Sequence, residues 1–304
     1  MSGSFDGSLD AATRFCAVYG HPIKHSASPA MQNAGIAALG LNWRYLAFEV
    51  RPDDLESAIA GAGAMHFIGL NLTVPHKLLA YEMVDVLDES AKNWGAVNTI
   101  RFEGKNDSGE WRPLREFSDA PAEIRSHGFN TDADAITRSL KEDLGINVRG
   151  GNVLLLGAGG AGRTAALKMA ADGAAEIFLV NRTESKAQDL AEEMRSRFPS
   201  TKATVGYPSK AVDLVLNATS LGLRGTESPL DDSRFSIAKA GAVYDMIYRP
   251  AETPLLINAK AAGCRNSNGI GMLLYQGTAA LEIWTGRAVP VEAMREALLK
   301  EVYG

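Results

Sequence analysis

Several short stretches of the sequence carry residue types that could do chemistry. Gly157, Gly159 and Gly162 satisfy G-x-G-x-x-G within GAGGAGR. The pattern lies between the apolar run NVLLL and an Ala-rich helical stretch, a context that makes it specific for a dinucleotide. Gly157 allows the tight turn and Gly159 lets the backbone approach a pyrophosphate. Gly162 lets helix and strand pack closely, so the helix N-terminus faces the anion. The next strand ends at Asn181-Arg182-Thr183, with Lys186 one turn into the following helix. A site selective for NAD places an acid here to hold the ribose 2′-hydroxyl. Asn181 stands there instead. Arg182 and Lys186 suit a 2′-phosphate, because a guanidinium binds phosphate through two hydrogen bonds and stacks on an adenine face. The expected cofactor is NADP.

The first half offers three polar stretches. His25-Ser26-Ala27-Ser28-Pro29 puts two hydroxyls two residues apart at a helix start, where Ser28 also fits as the N-cap. Asn71-Leu72-Thr73-Val74-Pro75-His76-Lys77 delivers Asn, Thr and Lys to the carboxyl end of a strand, where ligands of open α/β sheets sit. Asn130-Thr131-Asp132 opens a helix that leaves the first half.

The elements that must position these groups follow from patterning. At roughly 150 residues per domain, 304 residues make two domains. The first half reads β-α-β-α-β-α-β, with strands at 14–20, 43–50, 67–73 and 96–102 and a helix over 77–86, which implies a largely parallel sheet. Residues 103–127 break the rhythm with Gly104, Gly109, Pro113 and Pro121, so a hairpin or surface excursion is expected. The second half is another β-α-β array. Residues 1–12 are Ser/Gly/Asp-rich and read as a tail without the basic and apolar regions of a signal peptide.

Composition excludes more than it suggests. Hydrophobic residues make up 46% and charged residues 22%, an ordinary globular profile. Lys+Arg 31 against Asp+Glu 36 gives −5, which argues against a nucleic-acid or membrane-surface partner. The scattered Trp43, Trp94, Trp111 and Trp284 make no stacking platform. No run is long and apolar enough for a membrane helix. Two cysteines, Cys16 and Cys264, without CxxC point to a reducing compartment and hence the cytoplasm. The five histidines form no ligand set, so no metal is expected.

The segments GHPIKHSASPAMQNA, NLTVPHK, GAVNTI, GFNTD, GAGGAGR, NRT, NATSLG, DMIYRPAETPLL and GMLLYQG, in this order over nearly the whole chain, resemble the shikimate dehydrogenase family. The resemblance implies two α/β domains. Residues 13–133, joined by the C-terminal helices 272–304, would be a mixed or parallel substrate domain. Residues 134–271 would be a Rossmann-type NADP domain. The implied activity is reversible NADPH-dependent reduction of 3-dehydroshikimate to shikimate, by a monomer or homodimer. Lys77 and Asp132 match the proton-transfer pair, and the chemistry agrees: a hydroxyl that loses hydride must also lose its proton to a group within reach. Ser26 and Ser28 match the carboxylate clamp. Asn71, Thr73, Asn98, Asp132, Gln276 and Tyr248 match further substrate contacts. The turn Gly157, Ala158, Gly159, Gly160, Ala161 and Gly162 matches the cofactor site, with Asn181, Arg182, Thr183 and Lys186. Asn217, Thr219, Ser220, Gly269 and Met272 match the rest of it.

Two rivals follow: a quinate/shikimate dehydrogenase preferring NAD, which Asn181-Arg182 argues against, and a non-catalytic metabolite-binding regulator, against which Lys77 and Asp132 stand. The chain departs from the family at Ala133, where Gly is usual, and at the long stretch 103–127. That stretch reads as a surface loop, or alternatively as a lid or rim over the substrate or a subunit contact.

Overall fold

The structure, a computed structural model, describes residues 9–304. Two compact units divide it: the chain up to Thr131 together with Leu274–Gly304, and Asp132–Leu273. The first boundary expected from sequence fell after 133, but a helix starts at Asp132 and all of it goes with the second unit. Met272 and Leu273, expected with the returning helices, also stay with the second unit. Residues 1–8 of the expected tail lie outside the described residues. Its end is tied down: Asp10 Oδ1 accepts from Ala12 N and Asn42 Nδ2, both at 2.9 Å.

The first unit runs β1 (Arg14–Gly20), α1 (Ser28–Ala38), β2 (Trp43–Glu49), α2 (Leu55–Ala64), β3 (Gly69–Leu72), α3 (His76–Leu79), β4 (Val86–Leu87), α4 (Glu89–Trp94), β5 (Thr99–Lys105), β6 (Trp111–Pro113) and β7 (Ile124–Phe129). The helix expected over 77–86 ends at Leu79, and β4 and α4 occupy a stretch with no readable period. The sheet order is β2-β1-β3-β5-β7-β4, with β6 beside β5. β1 is parallel to β2 and β3, but β5 is antiparallel to β3, β6 and β7. The largely parallel sheet expected is therefore mixed. β5 is followed by a hairpin, and without a crossover helix its successors return antiparallel.

One face buries Tyr19, Leu55, Leu70, Ile100 and Phe102 among others. On the other, the Tyr45 ring lies 6.0 Å from that of Trp284. Trp284 Nε1 donates to the Ile100 carbonyl at 2.9 Å. That approach requires Gly69, where a Cβ would stand 2.1 Å from Trp284 Nε1.

Residues 103–127 hold the end of β5, the short β6 and the start of β7, joined by turns. Leu114 is buried, and Arg14 donates to its carbonyl at 2.9 Å. Glu103 is buried beneath Arg101, Arg125 and His127. Burial alone would raise its carboxyl, but hydrogen bonds from His127, Arg101 and Arg125 hold it at about 2. The register places this segment away from the candidate substrate residues. Asn71 pairs with Thr99 at the start of β5, whereas β6 pairs with 103–105 at its far end, level with the entry of β1. The segment is no lid over Asn71, Thr73 or Asn98, because it packs on the opposite end of the strands.

The second unit runs α5 (Asp132–Leu144), β8 (Asn152–Leu156), α6 (Gly160–Ala171), β9 (Glu176–Val180), α7 (Glu184–Arg197), β10 (Lys202–Val205), β11 (Val212–Asn217), β12 (Ala240–Asp245), α8 (Pro254–Ala261) and β13 (Arg265–Asn268). α9 (Ile270–Thr285) carries the chain back, and α10 (Val291–Tyr303) closes the first unit. All neighbours in the order β10-β9-β8-β11-β12-β13 are parallel. Leu154, Leu156, Val215, Val243 and Leu255 belong to its core. The edge strands β10 (KATV) and β13 (RNSN) were not foreseen, since short, polar edges lack the apolar runs of β8, β9, β11 and β12.

Candidate active site

In the first unit the polar residues gather at one end of the strands. Asn71, near the end of β3, accepts from Tyr45 Oη at 2.7 Å. It donates to Thr99 Oγ1 at 3.0 Å and to the Asn98 carbonyl at 3.3 Å. Asn98 Oδ1 accepts from Thr131 N at 2.8 Å, and Asn98 Nδ2 donates to Thr131 Oγ1 at 2.9 Å. Asn71, Asn98, Thr99 and Thr131 are all buried, so these bonds meet no competition from bulk water. Thr73 follows β3, half-buried, its N–H given to the Tyr19 carbonyl. Lys77 is half-buried on α3, and its carbonyl accepts from Val97 N at 2.9 Å, next to Asn98.

Ser28 does not cap α1. The helix starts at Ser28 itself, Ala27 is the N-cap, and no side chain bonds there. Ser26 Oγ accepts from Ser28 N at 3.3 Å. Burial pushes the Tyr45 hydroxyl well above its ordinary value, so it stays protonated. Gln276 is half-buried on α9, and the next residue, Gly277, accepts from Gln32 at 2.9 Å.

The remaining sequence candidates lie in the second unit. Asp132 is buried as the first residue of α5, directly after Thr131. Tyr248 is half-buried after β12. The parallel register aligns Val180, Leu156, Asn217, Asp245 and Asn268 across the carboxyl ends of five strands. The glycine turn leaves β8 within this row. Gly157 has φ +108°, open to glycine but strained for other residues. A Cβ on Gly162 would stand 2.0 Å from the Gly157 carbonyl, whereas one on Gly159 meets nothing within 4 Å. Of the three glycines, only Gly157 and Gly162 are required by the backbone and its packing. Gly159 keeps a cradle open ahead of the α6 N-terminus, where N–H groups attract an anion.

Asn181 has a definite part in this turn: its Oδ1 accepts from Ala158 N at 3.0 Å and its Nδ2 donates to the Thr183 carbonyl at 2.8 Å. Arg182, Thr183 and Lys186 are exposed beside it. Asn217 Oδ1 accepts from Thr219 N and Oγ1, at 2.9 and 2.8 Å, which shapes the loop that carries Ser220. Behind it lies a carboxylate that the sequence reading passed over. Asp245 accepts from Asn217 Nδ2 at 2.9 Å, Ile247 N at 3.0 Å and Thr253 Oγ1 at 2.6 Å. Burial raises its carboxyl. Met246 was also passed over: Gly269 approaches so closely that a Cβ would stand 2.1 Å from the Met246 carbonyl. Met272 N donates to Tyr244 Oη at 3.3 Å. The open cradle, the helix terminus and the exposed cations fit NADP.

Among the described residues no group of three or more His, Cys, Asp and Glu could hold a metal ion. No helix among them is long and apolar enough to cross a membrane.

The fold and the glycine turn define the class: an α/β protein of two units, one a Rossmann-type dinucleotide-binding unit. Comparison with known proteins is more specific. Residues 18–100 match the Shikimate dehydrogenase substrate binding domain, 139–221 the Shikimate / quinate 5-dehydrogenase family and 269–299 the Shikimate 5′-dehydrogenase C-terminal domain. The chain is 40% identical over 303 residues to a Shikimate dehydrogenase (NADP(+)) of Methanopyrus kandleri, covering 97% of this chain and 98% of that one. A crystal structure of a shikimate dehydrogenase in complex with NADP+ superposes with a TM-score of 0.84 at 34% identity, covering 99% and 100% of the two chains. One from Thermus thermophilus, in complex with NADP(H) and shikimate, gives 0.79 at 35% identity over 95% and 99%. The chain belongs to the shikimate dehydrogenase family.

Proposed function

We propose that this protein catalyses the reversible NADPH-dependent reduction of 3-dehydroshikimate to shikimate, a step toward chorismate and the aromatic amino acids. It is an oxidoreductase acting on a CH–OH group. The observation that carries this reading is similarity over nearly the whole chain to NADP-dependent members, together with Lys77 on α3 and Asp132 at the start of α5. Ser26 and Ser28 hold the substrate carboxylate through their hydroxyls. Asn71, Thr73, Asn98, Asp132 and Gln276 hold the ring hydroxyls, and Tyr248 makes a further substrate contact.

In the oxidation direction the C3 hydroxyl passes its proton to the Lys77 amine as C3 loses hydride; in reduction the Lys77 ammonium returns it. Asp132 orients Lys77 and balances its charge. The turn 157–162, with Asn181, Arg182, Thr183, Lys186, Asn217, Thr219, Ser220, Gly269 and Met272, holds NADP, which when bound accepts or returns the hydride. The exposed Arg182 and Lys186 favour the 2′-phosphate, and so NADP over the NAD of the quinate reading. The reducing setting implied by two cysteines supports a cytoplasmic enzyme, acting as a monomer or homodimer.

Lys77→Ala tests the reading. Its kcat should fall by about 10²- to 10⁴-fold while shikimate binding, read by calorimetry, persists. A near-normal kcat would remove Lys77 from the chemistry. Rates of shikimate and quinate oxidation with NADP and with NAD distinguish the two substrate readings.

A further inference from the structure

The two carboxylate oxygens of Asp245 serve different partners. Oδ1 accepts from Asn217 Nδ2 at 2.9 Å and from Ile247 N at 3.0 Å. Oδ2 accepts from Thr253 Oγ1 at 2.6 Å, and Thr253 in turn caps α8 by accepting from Leu256 N at 3.4 Å. All three partners donate, which suits a carboxylate. Asp245 is 0% exposed, so it acts on a ligand only through these partners.

The first arm runs through Asn217, whose own amide is saturated. Its Oδ1 accepts from Thr219 N and Oγ1, and its Nδ2 donates to Asp245 and, at 3.4 Å, to the Leu221 carbonyl. A carboxylate only accepts, so Asp245 dictates which end of that amide faces it and leaves the oxygen for Thr219. The loop shaped in this way lies against the glycine turn. A Cβ on Gly157 would stand 2.9 Å from Thr219 Cγ2 and 3.0 Å from the Ala218 carbonyl oxygen. The second arm fixes the chain after β12. The Ile247 carbonyl accepts from Gly269 N at 3.1 Å, and Met246 N donates to the Asn217 carbonyl at 3.0 Å.

We propose that Asp245 is a positioning residue for the cofactor: through Asn217 and Ile247 it holds the loops after β11 and β12 where Thr219, Ser220 and Gly269 meet NADP. The inference rests on the reading that these loops hold NADP. It divides the carboxylate into a cofactor side, Oδ1, and a helix-cap side, Oδ2.

Three variants test that division, read by steady-state KM values, by fluorescence titration with NADPH and by thermal melts. Asp245→Asn keeps an oxygen for Asn217 and Ile247 and turns its amide N–H groups to Thr253, whose hydroxyl can accept them. Its NADP KM should stay within about threefold of the parental value. Asp245→Ala removes that oxygen, and the NADP KM should rise about tenfold with the shikimate KM unchanged. Thr253→Val breaks only the cap side, so it should lower Tm and leave the NADP KM unchanged. A parental NADP KM in Asp245→Ala, an equal rise for shikimate, or an Asp245→Asn variant as impaired as Asp245→Ala overturns the proposal. If Asp245→Ala does not fold, Asn217→Ala cuts the arm to Thr219 while Ile247 and Thr253 stay bonded, and a parental NADP KM there is equally fatal. Absence of shikimate turnover with NADP in the unsubstituted protein would refute the proposed function itself, whereas turnover with an unaffected Asp245→Ala refutes only the role of Asp245.

Discussion

Gly159→Ala separates a nucleotide-binding turn from a mere strand-to-helix turn. Gly159 has φ −78° and ψ −173°, extended backbone that Ala adopts without strain. A Cβ there meets nothing within 4 Å. Ala is a poorer N-cap than Gly but loses less entropy on folding, two opposed effects of about 1 kcal/mol or less. Tm should therefore move by no more than about 4 °C in a chain of this size. The cofactor feels the methyl differently, because the open space is the approach of the pyrophosphate to the α6 N–H groups. Loss of one charge-assisted hydrogen bond there, about 1.5–3 kcal/mol, raises the NADP KM by about 10- to 150-fold. Gly162→Ala is the control: its Cβ would stand 2.0 Å from the Gly157 carbonyl, so it should lower Tm as well. The assay is a thermal melt beside KM values for NADP and shikimate. A Gly159→Ala variant with the parental NADP KM would refute the reasoning, however stable it proved.

Arg182→Ala should raise the NADP KM far more than the NAD KM, since only NADP carries the 2′-phosphate that an exposed guanidinium can bind; steady-state kinetics with both cofactors decide it, and equal effects would sink the assignment. Leu114→Ala should lower stability by about 2–5 kcal/mol in urea denaturation, because Leu114 is 1% exposed, yet leave the shikimate KM unchanged. A raised KM at full stability would restore a lid role to residues 103–127.

The sequence was most legible where one local rule suffices. A glycine at φ +108° beside another that admits no Cβ, between a strand and a helix, can be read from spacing alone, because each constraint lies within a few residues. Arg182 and Lys186 are equally local. β8, β9 and β11 announce themselves as apolar runs. The polar edges β10 and β13 do not, since their pairing comes from the neighbouring strand and not from their own side chains. Ser28 misled for a related reason. Its place before a proline suited a cap, but the chain turned into helix one residue earlier.

Tyr45 had no signal at all. It lies on β2, two strands from Asn71 in the sheet, and only the sheet order brings its hydroxyl to that amide. Residues 103–127 looked close to the candidate substrate residues because they lie between Asn98 and Asp132 in the chain. An antiparallel strand of seven residues carries them to the opposite end of the sheet. Residue types, turn chemistry and family motifs were written in the chain, since backbone sterics and charge act over a few residues. Which polar groups share a proton, and which end of a strand a segment occupies, depended on strand direction and register, which arise only when distant segments pair.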